Sequence, residues 1–592
     1  MLARNRRLRF IGIAALVAAS LALGQTLASQ GLREQDVKRE FGYITLRDGV
    51  KLAYVTYRPV KDGRYPTLLE FSPYGVDGKP FDEPSRPTRA VRRFLERGYA
   101  YAGVDIRGTS CSTGTMTMFD PQIAQDGAEV IEWIGSQPWV DGVGMIGNSY
   151  PGHTQIYVAS ARPRYLKAIA AGATTASTYR EVWRPGGIFN HNFIGGWAFR
   201  ERNEGAQRRA EWGDTACDVE KAKTYTRNTY YEVLEHPLLN DWWQNRDPEN
   251  YVGRINVPTL LVQSWQDHQT QVSGPLRLFR ELNAPNKHIL LQPGGHGVYL
   301  RPASVQHWLR FMDHYLKGED NGFNKEPPVK VWWEVTDIDG TPTPSWETTY
   351  PNWPPPNAKP MTFYLTVDGT LSPEAPGAVK DHGARGYTYP MGTELVGDNV
   401  QFAVPPNETG VLSYRTEPMA DDVTILGFSQ LTFHMSSERT DTDVMVVLHD
   451  IDEQGNTLYL TRDFLRASLR AIDPKRSNAE ETVRSFAKSE PLTPGQIYEM
   501  KLSVPPLGHV LRKGHRLELA IMAPSHIGQP NWGLMILDLP GRNTVYHSAQ
   551  YPSSLTLTTL PGDKDKAQAP APPCGVMQFQ PCRKAPEQTA SR

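Results

Sequence analysis

The chain has 592 residues, more than a single domain normally holds. Its 63 basic and 64 acidic residues nearly cancel, and no basic stripe runs through it, which argues against a nucleic-acid partner or an anionic membrane surface. A hydrophobic content of 39% with 50 Gly and 48 Pro fits a large, loop-rich, sheet-containing globular protein.

The N-terminus stands apart. Arg4, Arg6, Arg7 and Arg9 precede the uncharged run 10–24, and Thr26-Leu27-Ala28 follows. A basic start, a short apolar middle and a small-residue end predict a secretory signal peptide over 1–28. The run is short for a span of about 20 residues, so the mature protein is expected to be secreted or periplasmic, without stable membrane association. Arg6-Arg7 loosely suggests a twin-arginine route.

From residue 36 the pattern alternates. Alternating residues on both sides of Arg47-Asp48-Gly49 predict a hairpin over 41–59. An apolar strand over 66–71 runs into Ser72-Pro73-Tyr74-Gly75. Helical spacing over 87–97 is followed by a strand over 100–105 and an amphipathic helix over 123–134. Val143–Ile146 is a buried strand, Gly147-Asn148-Ser149-Tyr150 turns sharply, and a helix begins at Tyr150. A strand over 166–171 closes this stretch. The alternation of strands and helices predicts a parallel sheet covered on both faces.

The rhythm then breaks. Residues 174–254, rich in Arg, Asn, Trp and Tyr, are expected to form a mostly helical cap interrupting a core of 36–173 and 255–341. The second part carries strands over 258–263, 288–292 and 329–334 with helices over 274–282 and 304–316. The proline-dense stretch 342–360 reads as a stiff linker. Short strands with turn signals over 361–562 predict a β-sandwich of jelly-roll type, and 563–592 a polar tail. Cys574 and Cys582 are the preferred disulfide pair, although Cys111 and Cys217 leave three connectivities open. No His or Cys cluster has ligand spacing, so no metal or cofactor is expected.

A serine on a tight strand-to-helix turn is the nucleophile elbow of an α/β-hydrolase. Such an enzyme needs a base for the serine proton and a carboxylate to orient that base, in the chain order Ser, acid, His. Asp267 follows one predicted strand and His296, between glycines, follows the next. Ser149, Asp267 and His296 are therefore the expected catalytic residues. The Tyr150 backbone N–H and the Tyr74 phenol are the expected oxyanion donors. His153 is expected to point away from the elbow. His268 reads as a loop residue, and Asp105 as a structural acid bonded to Arg107. The substrate walls are sought in the cap, around Trp183, Phe189, His191, Phe193 and Trp197.

SPYG at 72–75, DIRG at 105–108, QPW at 137–139, GNSYPG at 147–152, Asp267 after SW, and PGGHG at 293–297 together resemble the cocaine-esterase and X-prolyl dipeptidyl-peptidase-like hydrolases. α-Amino acid ester hydrolases and glutaryl acylases belong to the same group. Trp353-Pro354-Pro355-Pro356, Asp441-Thr442-Asp443-Val444, Leu465-Arg466-Ala467 and 513–517 resemble its C-terminal β domain. The resemblance implies the α/β-hydrolase fold with a helical cap and a jelly-roll domain. It also implies the same triad and the same oxyanion pair, Tyr74 and Tyr150. Two departures bear on substrate rather than chemistry: Pro151 stands where α-amino acid ester hydrolases carry an acid, and PGGHG replaces a GPWxH form. The expected partner is a small ester, amide or peptide substrate, and a homo-oligomer is left open. The alternatives are an X-Pro dipeptidyl-peptidase or α-amino acid ester hydrolase, and a non-catalytic binding protein.

Overall fold

A computed structural model describes residues 32 and 34–584, apart from 77–87, 201–208, 210–212, 222, 227, 337–340, 392–407, 525–533, 563–565 and 578. The expected signal peptide lies outside the described residues.

The hairpin at Asp48-Gly49 forms β1 (Val37–Thr45) and β2 (Lys51–Pro59), paired antiparallel. Next come β3 (Tyr65–Ser72), β4 (Ala100–Asp105), β5 (Gly114–Met116), β6 (Val140–Asn148) and β7 (Leu166–Gly172). The cap contributes β8 (Thr224–Thr226), and the core resumes with β9 (Thr259–Ser264), β10 (Lys287–Gln292), β11 (Val329–Trp333) and β12 (Trp346–Tyr350). Ten of these make one sheet in the order β1-β2-β4-β3-β6-β7-β9-β10-β11-β12, parallel from β4 through β11.

Helices cover both faces, as parallel strands require. Leu69, Val143 and Leu261 pack with Val130 and Ile156 from the helices Gln122–Gly135 and Tyr150–Ser160. Leu68, Ile146 and Leu260 turn the other way, to Phe94, Trp308 and Phe311 from Thr88–Glu96 and Pro302–Tyr315. The chain passes from β3 to β4 on one side and to β6 on the other, so the crevice at their carboxyl ends is the topological switch point, where such sheets bind ligands.

Two expectations need correction. Residues 342–360 are not simply a linker: Trp346–Tyr350 pairs antiparallel with β11, and Trp346 stacks on Trp333 with centroids 6.0 Å apart. Proline density outside the strand hid those five residues. The cap, expected to be mostly helical, also carries a short strand. Besides the helices His191–Arg200, Ala216–Lys221 and Thr229–Glu235, its β8 pairs in parallel with β5 of the core. Beside that pair the disulfide Cys111–Cys217 ties cap to core, while Cys574–Cys582 closes the second bridge. Finally, the hydrogen bonds of Asp105 and Arg107 run to other partners. Its Oδ1 accepts from the Val76 N–H (3.1 Å), and Arg107 forks onto Asp126 and Asp48.

The C-terminal half is two antiparallel sheets. One runs β14 (Leu371–Ser372), β13 (Lys359–Leu365), β23 (Ser554–Leu560), β17 (Val423–Ser437), β22 (Gly541–Tyr546), β15 (Arg385–Tyr389), with β20 (Tyr498–Leu511) also on β17. The other runs β16 (Val411–Arg415), β21 (Arg516–Met522), β18 (Asp443–Ile451), β19 (Thr457–Arg466), β24 (Cys582–Arg583). This is the expected β-sandwich beside an α/β core.

Candidate active site

Strand β6 delivers its last residues into the crevice, and the helix after it starts at Tyr150. Between them Ser149 takes φ 68° and ψ −128°, a conformation that costs about 1–3 kcal/mol outside glycine. The turn is held by close packing. A Cβ on Gly147 would lie 2.4 Å from Pro151 Cβ, so only glycine lets the helix approach the strand this closely. The Ser149 N–H donates to the Gly172 carbonyl of β7 (3.0 Å), and the Ser149 carbonyl accepts from the N–H groups of Gly152 and His153. The Tyr150 N–H belongs to the first turn, whose donors have no carbonyl partner within the helix.

Strands β9 and β10 lie side by side, and their carboxyl ends supply Asp267 and His296. The Asp267 carboxylate accepts from the His296 Nδ1–H at 3.0 and 3.1 Å. It also accepts from Gln269 N, Thr270 N and the Thr270 hydroxyl (2.9, 3.0 and 2.7 Å). Burial alone would raise this carboxyl, but His296 and the Thr270 bonds outweigh it and hold the group below the ordinary range. With Nδ1–H committed to Asp267, Nε2 is the basic nitrogen of His296. Asn148, immediately before Ser149, donates from Nδ2 to the His296 carbonyl (3.0 Å), so the elbow and the histidine loop touch directly. Gln266, beside Asp267, accepts from the Gly294 N–H (3.0 Å) and donates to the Leu460 carbonyl of β19 (3.0 Å).

The neighbouring histidines differ from expectation in detail. His153 does not turn away: its Nδ1–H donates to the Ser149 carbonyl (2.7 Å), and Nε2 meets the Thr175 hydroxyl (2.8 Å). Burial pushes its pKa down to about 4, so the ring is neutral and structural at neutral pH. His268 is buried against the Tyr459 hydroxyl (3.2 Å), and burial with nearby Arg462 holds it well below the ordinary histidine range.

Aromatic rings gather beside the serine. Tyr150 is stacked between Phe119 (4.4 Å, 17°) and Trp197 (6.0 Å, 8°). Tyr74 stands edge-on to Tyr150 and Trp197, each at 6.5 Å, and its hydroxyl accepts from the Trp197 indole N–H (3.2 Å). Trp183 joins through Trp197 (6.0 Å) and Phe193 (5.4 Å), and its buried indole N–H has no hydrogen-bond partner among the described residues. An acceptor on a bound substrate would satisfy it. Phe189 leaves this group and packs on Tyr230 (5.4 Å) under the Arg184 guanidinium; His191 is half-buried at the start of its helix. Phe119, Asn148, His153 and Gln266 were not singled out as site residues by the sequence reading. The position of Asn148 and Gln266 next to the expected nucleophile and acid is the signal that points to them.

A serine at the elbow of an α/β-hydrolase sheet, joined to a two-sheet β domain, is the architecture of a serine hydrolase. Residues 48–298 match the X-Pro dipeptidyl-peptidase (S15 family), and residues 321–556 match the X-Pro dipeptidyl-peptidase C-terminal non-catalytic domain. A putative serine esterase of Mycobacterium bovis is 26% identical over 572 residues, covering 81% of this chain and 89% of that protein. The cocaine esterase of a Rhodococcus species is 26% identical over 595 residues, covering 87% and 97%. A crystal structure of a CocE/NonD family hydrolase from Staphylococcus aureus, 22% identical, aligns with a TM-score of 0.74 over 88% of this chain and 93% of that one. The two matched domains and these relatives make the chain a serine hydrolase similar to cocaine esterases and X-Pro dipeptidyl-peptidases.

Proposed function

We propose that the protein is an exported serine esterase that also accepts activated amides and works through an acyl-enzyme. Ser149 Oγ attacks the substrate carbonyl while His296 Nε2 takes its proton. Asp267 holds the imidazole tautomer and balances the imidazolium charge. The oxyanion accepts from the Tyr150 N–H and the Tyr74 phenol. His296 then protonates the departing alkoxide, and water repeats the sequence to free Ser149 and release the acid. The observation that carries this reading is the strained Ser149 turn one hydrogen bond, through Asn148, from a histidine already paired to a buried carboxylate.

Substrates without a free α-amine are favoured. A buried ammonium needs a carboxylate partner. Pro151 supplies none, and Glu181 is engaged by Arg277 and by the N–H groups of Ala176 and Ser177. Glu201 and Glu204 lie outside the described residues. The family match favours X-Pro dipeptidyl-peptidase activity as a second reading. Labelling by a fluorophosphonate in the wild type but not in Ser149→Ala tests the chemistry. A panel of p-nitrophenyl esters, aminoacyl esters and X-Pro p-nitroanilides then separates the readings. The esterase reading expects the simple esters to turn over fastest; faster X-Pro anilide cleavage replaces it with the second.

A further inference from the structure

The match to the C-terminal domain ends at residue 556, yet the chain continues back to the site. The bridge Cys574–Cys582 closes a short loop whose end, β24, pairs with β19 through Leu458↔Cys582 and Thr457↔Arg583. Gln580, buried in that loop, donates to the Tyr459 carbonyl (3.4 Å), and the Tyr459 N–H donates to Pro581 (3.0 Å). Between these anchors Phe579 adopts φ 59°, a left-handed conformation rare for a bulky residue. Its ring lies on Gly295: a Cβ built there would sit 2.4 Å from Phe579 Cδ1 and 2.7 Å from Cε1. Gly295 immediately precedes His296, and its carbonyl accepts from the Ser264 hydroxyl (3.0 Å).

We infer that this disulfide-closed C-terminal loop is a positioning element of the active site, with Phe579 bracing the His296 loop at Gly295. The inference rests on the reading of His296 as the base. Pro293-Gly294-Gly295-His296-Gly297 offers almost no side-chain packing of its own, and glycines leave its backbone the most freedom to lose. An outside ring supplies the missing wall. The same loop also reaches the acid side, because Tyr459 bonds His268, the residue after Asp267. A strained φ held by a covalent closure and buried hydrogen bonds is how a scaffold fixes a side chain in one place. Misplacement of a catalytic group by about 1 Å costs on the order of 100-fold.

The test uses the full-length mature enzyme and a short p-nitrophenyl ester. Phe579→Ala should lower kcat about 10- to 100-fold with KM changed less than threefold, and Phe579→Leu should recover part of the loss. Gly295→Ala should also be impaired, because its methyl meets the ring. In the double variant Gly295→Ala/Phe579→Ala the methyl has space, so kcat should exceed that of Gly295→Ala alone. A melting temperature within a few degrees of wild type certifies folding of each variant; for any variant that fails this check, Phe579→Leu and the double variant carry the comparison. Phe579→Ala with wild-type kcat overturns the inference, as does equal damage from Gly295→Ala with and without Phe579. Ser149→Ala is run alongside. If it stays active, the triad reading fails and takes this inference with it; if it is dead while Phe579→Ala is normal, only the inference fails.

Discussion

Tyr74→Phe removes one hydroxyl and almost no packing volume, and the structure separates its two effects. The phenol oxygen accepts from the Trp197 indole N–H at 3.2 Å, so the phenol proton is not spent on that bond. Losing an oxyanion donor costs about 2.7–4 kcal/mol, or 10²–10³-fold in kcat. Losing an acceptor for a largely buried indole costs about 1 kcal/mol, and this should appear as lower thermal stability. The oxyanion bond strengthens only as charge develops, so kcat should fall and KM stay nearly constant. Trp197→Phe is the counterpart: it keeps the Tyr74 phenol and an aromatic ring while removing the indole donor and part of the packed ring, so kcat should fall less than about tenfold while stability falls more. Steady-state kinetics on a p-nitrophenyl ester with a melt of each variant reads both effects. Near-normal kcat in Tyr74→Phe, or an equal kcat loss in both variants, returns Tyr74 to a packing role and refutes the reasoning.

Asp267→Asn should cost about 10⁴-fold in kcat by favouring the wrong histidine tautomer, whereas Asp105→Asn should act mainly on stability; the reverse order names the wrong carboxylate. Ser149→Ala should lower turnover about a millionfold without moving the melting temperature. His153 has its pKa lowered to about 4 when folded, so the unfolded chain takes up a proton first as pH falls. Its contribution is intact above about pH 6.5 and is lost between there and about pH 4, at about 1.4 kcal/mol per pH unit. In a pH series of melts, His153→Gln should flatten that slope. Cys111→Ser/Cys217→Ser opens a bridge spanning 106 residues, worth about 4–5 kcal/mol by chain entropy, and limited proteolysis should then cut the cap first. N-terminal sequencing of the cell-derived protein should begin near residue 29; an intact Met1 in the cytosol counts against export.

The sequence made the α/β core legible because its signals are local. Apolar runs such as 100–105 and 259–264 are buried on both faces, so they read as strands without knowledge of neighbours. The pairing of Asp267 with His296 was legible because each follows such a strand, and those strands are neighbours in the sheet. The partnerships between distant residues were hidden. Nothing local in Met118-Phe119 says that the ring will stack on Tyr150, or that Phe579 will lie on Gly295 from 284 positions away. Phe189 and His191 are expected at the pocket wall from their place in the cap, whereas Phe189 packs on Tyr230 instead.

The way the two halves interlock bears on how such enzymes can be recombined. Gln266 joins the loop before His296 to the Leu460 carbonyl of the β domain. Gly508 of β20 lies against the Trp265 indole, and Arg277 and Arg280 pair with Glu481 on the long connection between β19 and β20. The seam therefore runs through the loops that carry Asp267 and His296 rather than beside them. A chimera cut at residue 350 would exchange the β-domain contacts of the Asp267 loop with the donor. Grafting would have to carry 458–464, 477–486 and 507–512 along with the core to keep the Asp267–His296 pair in its place.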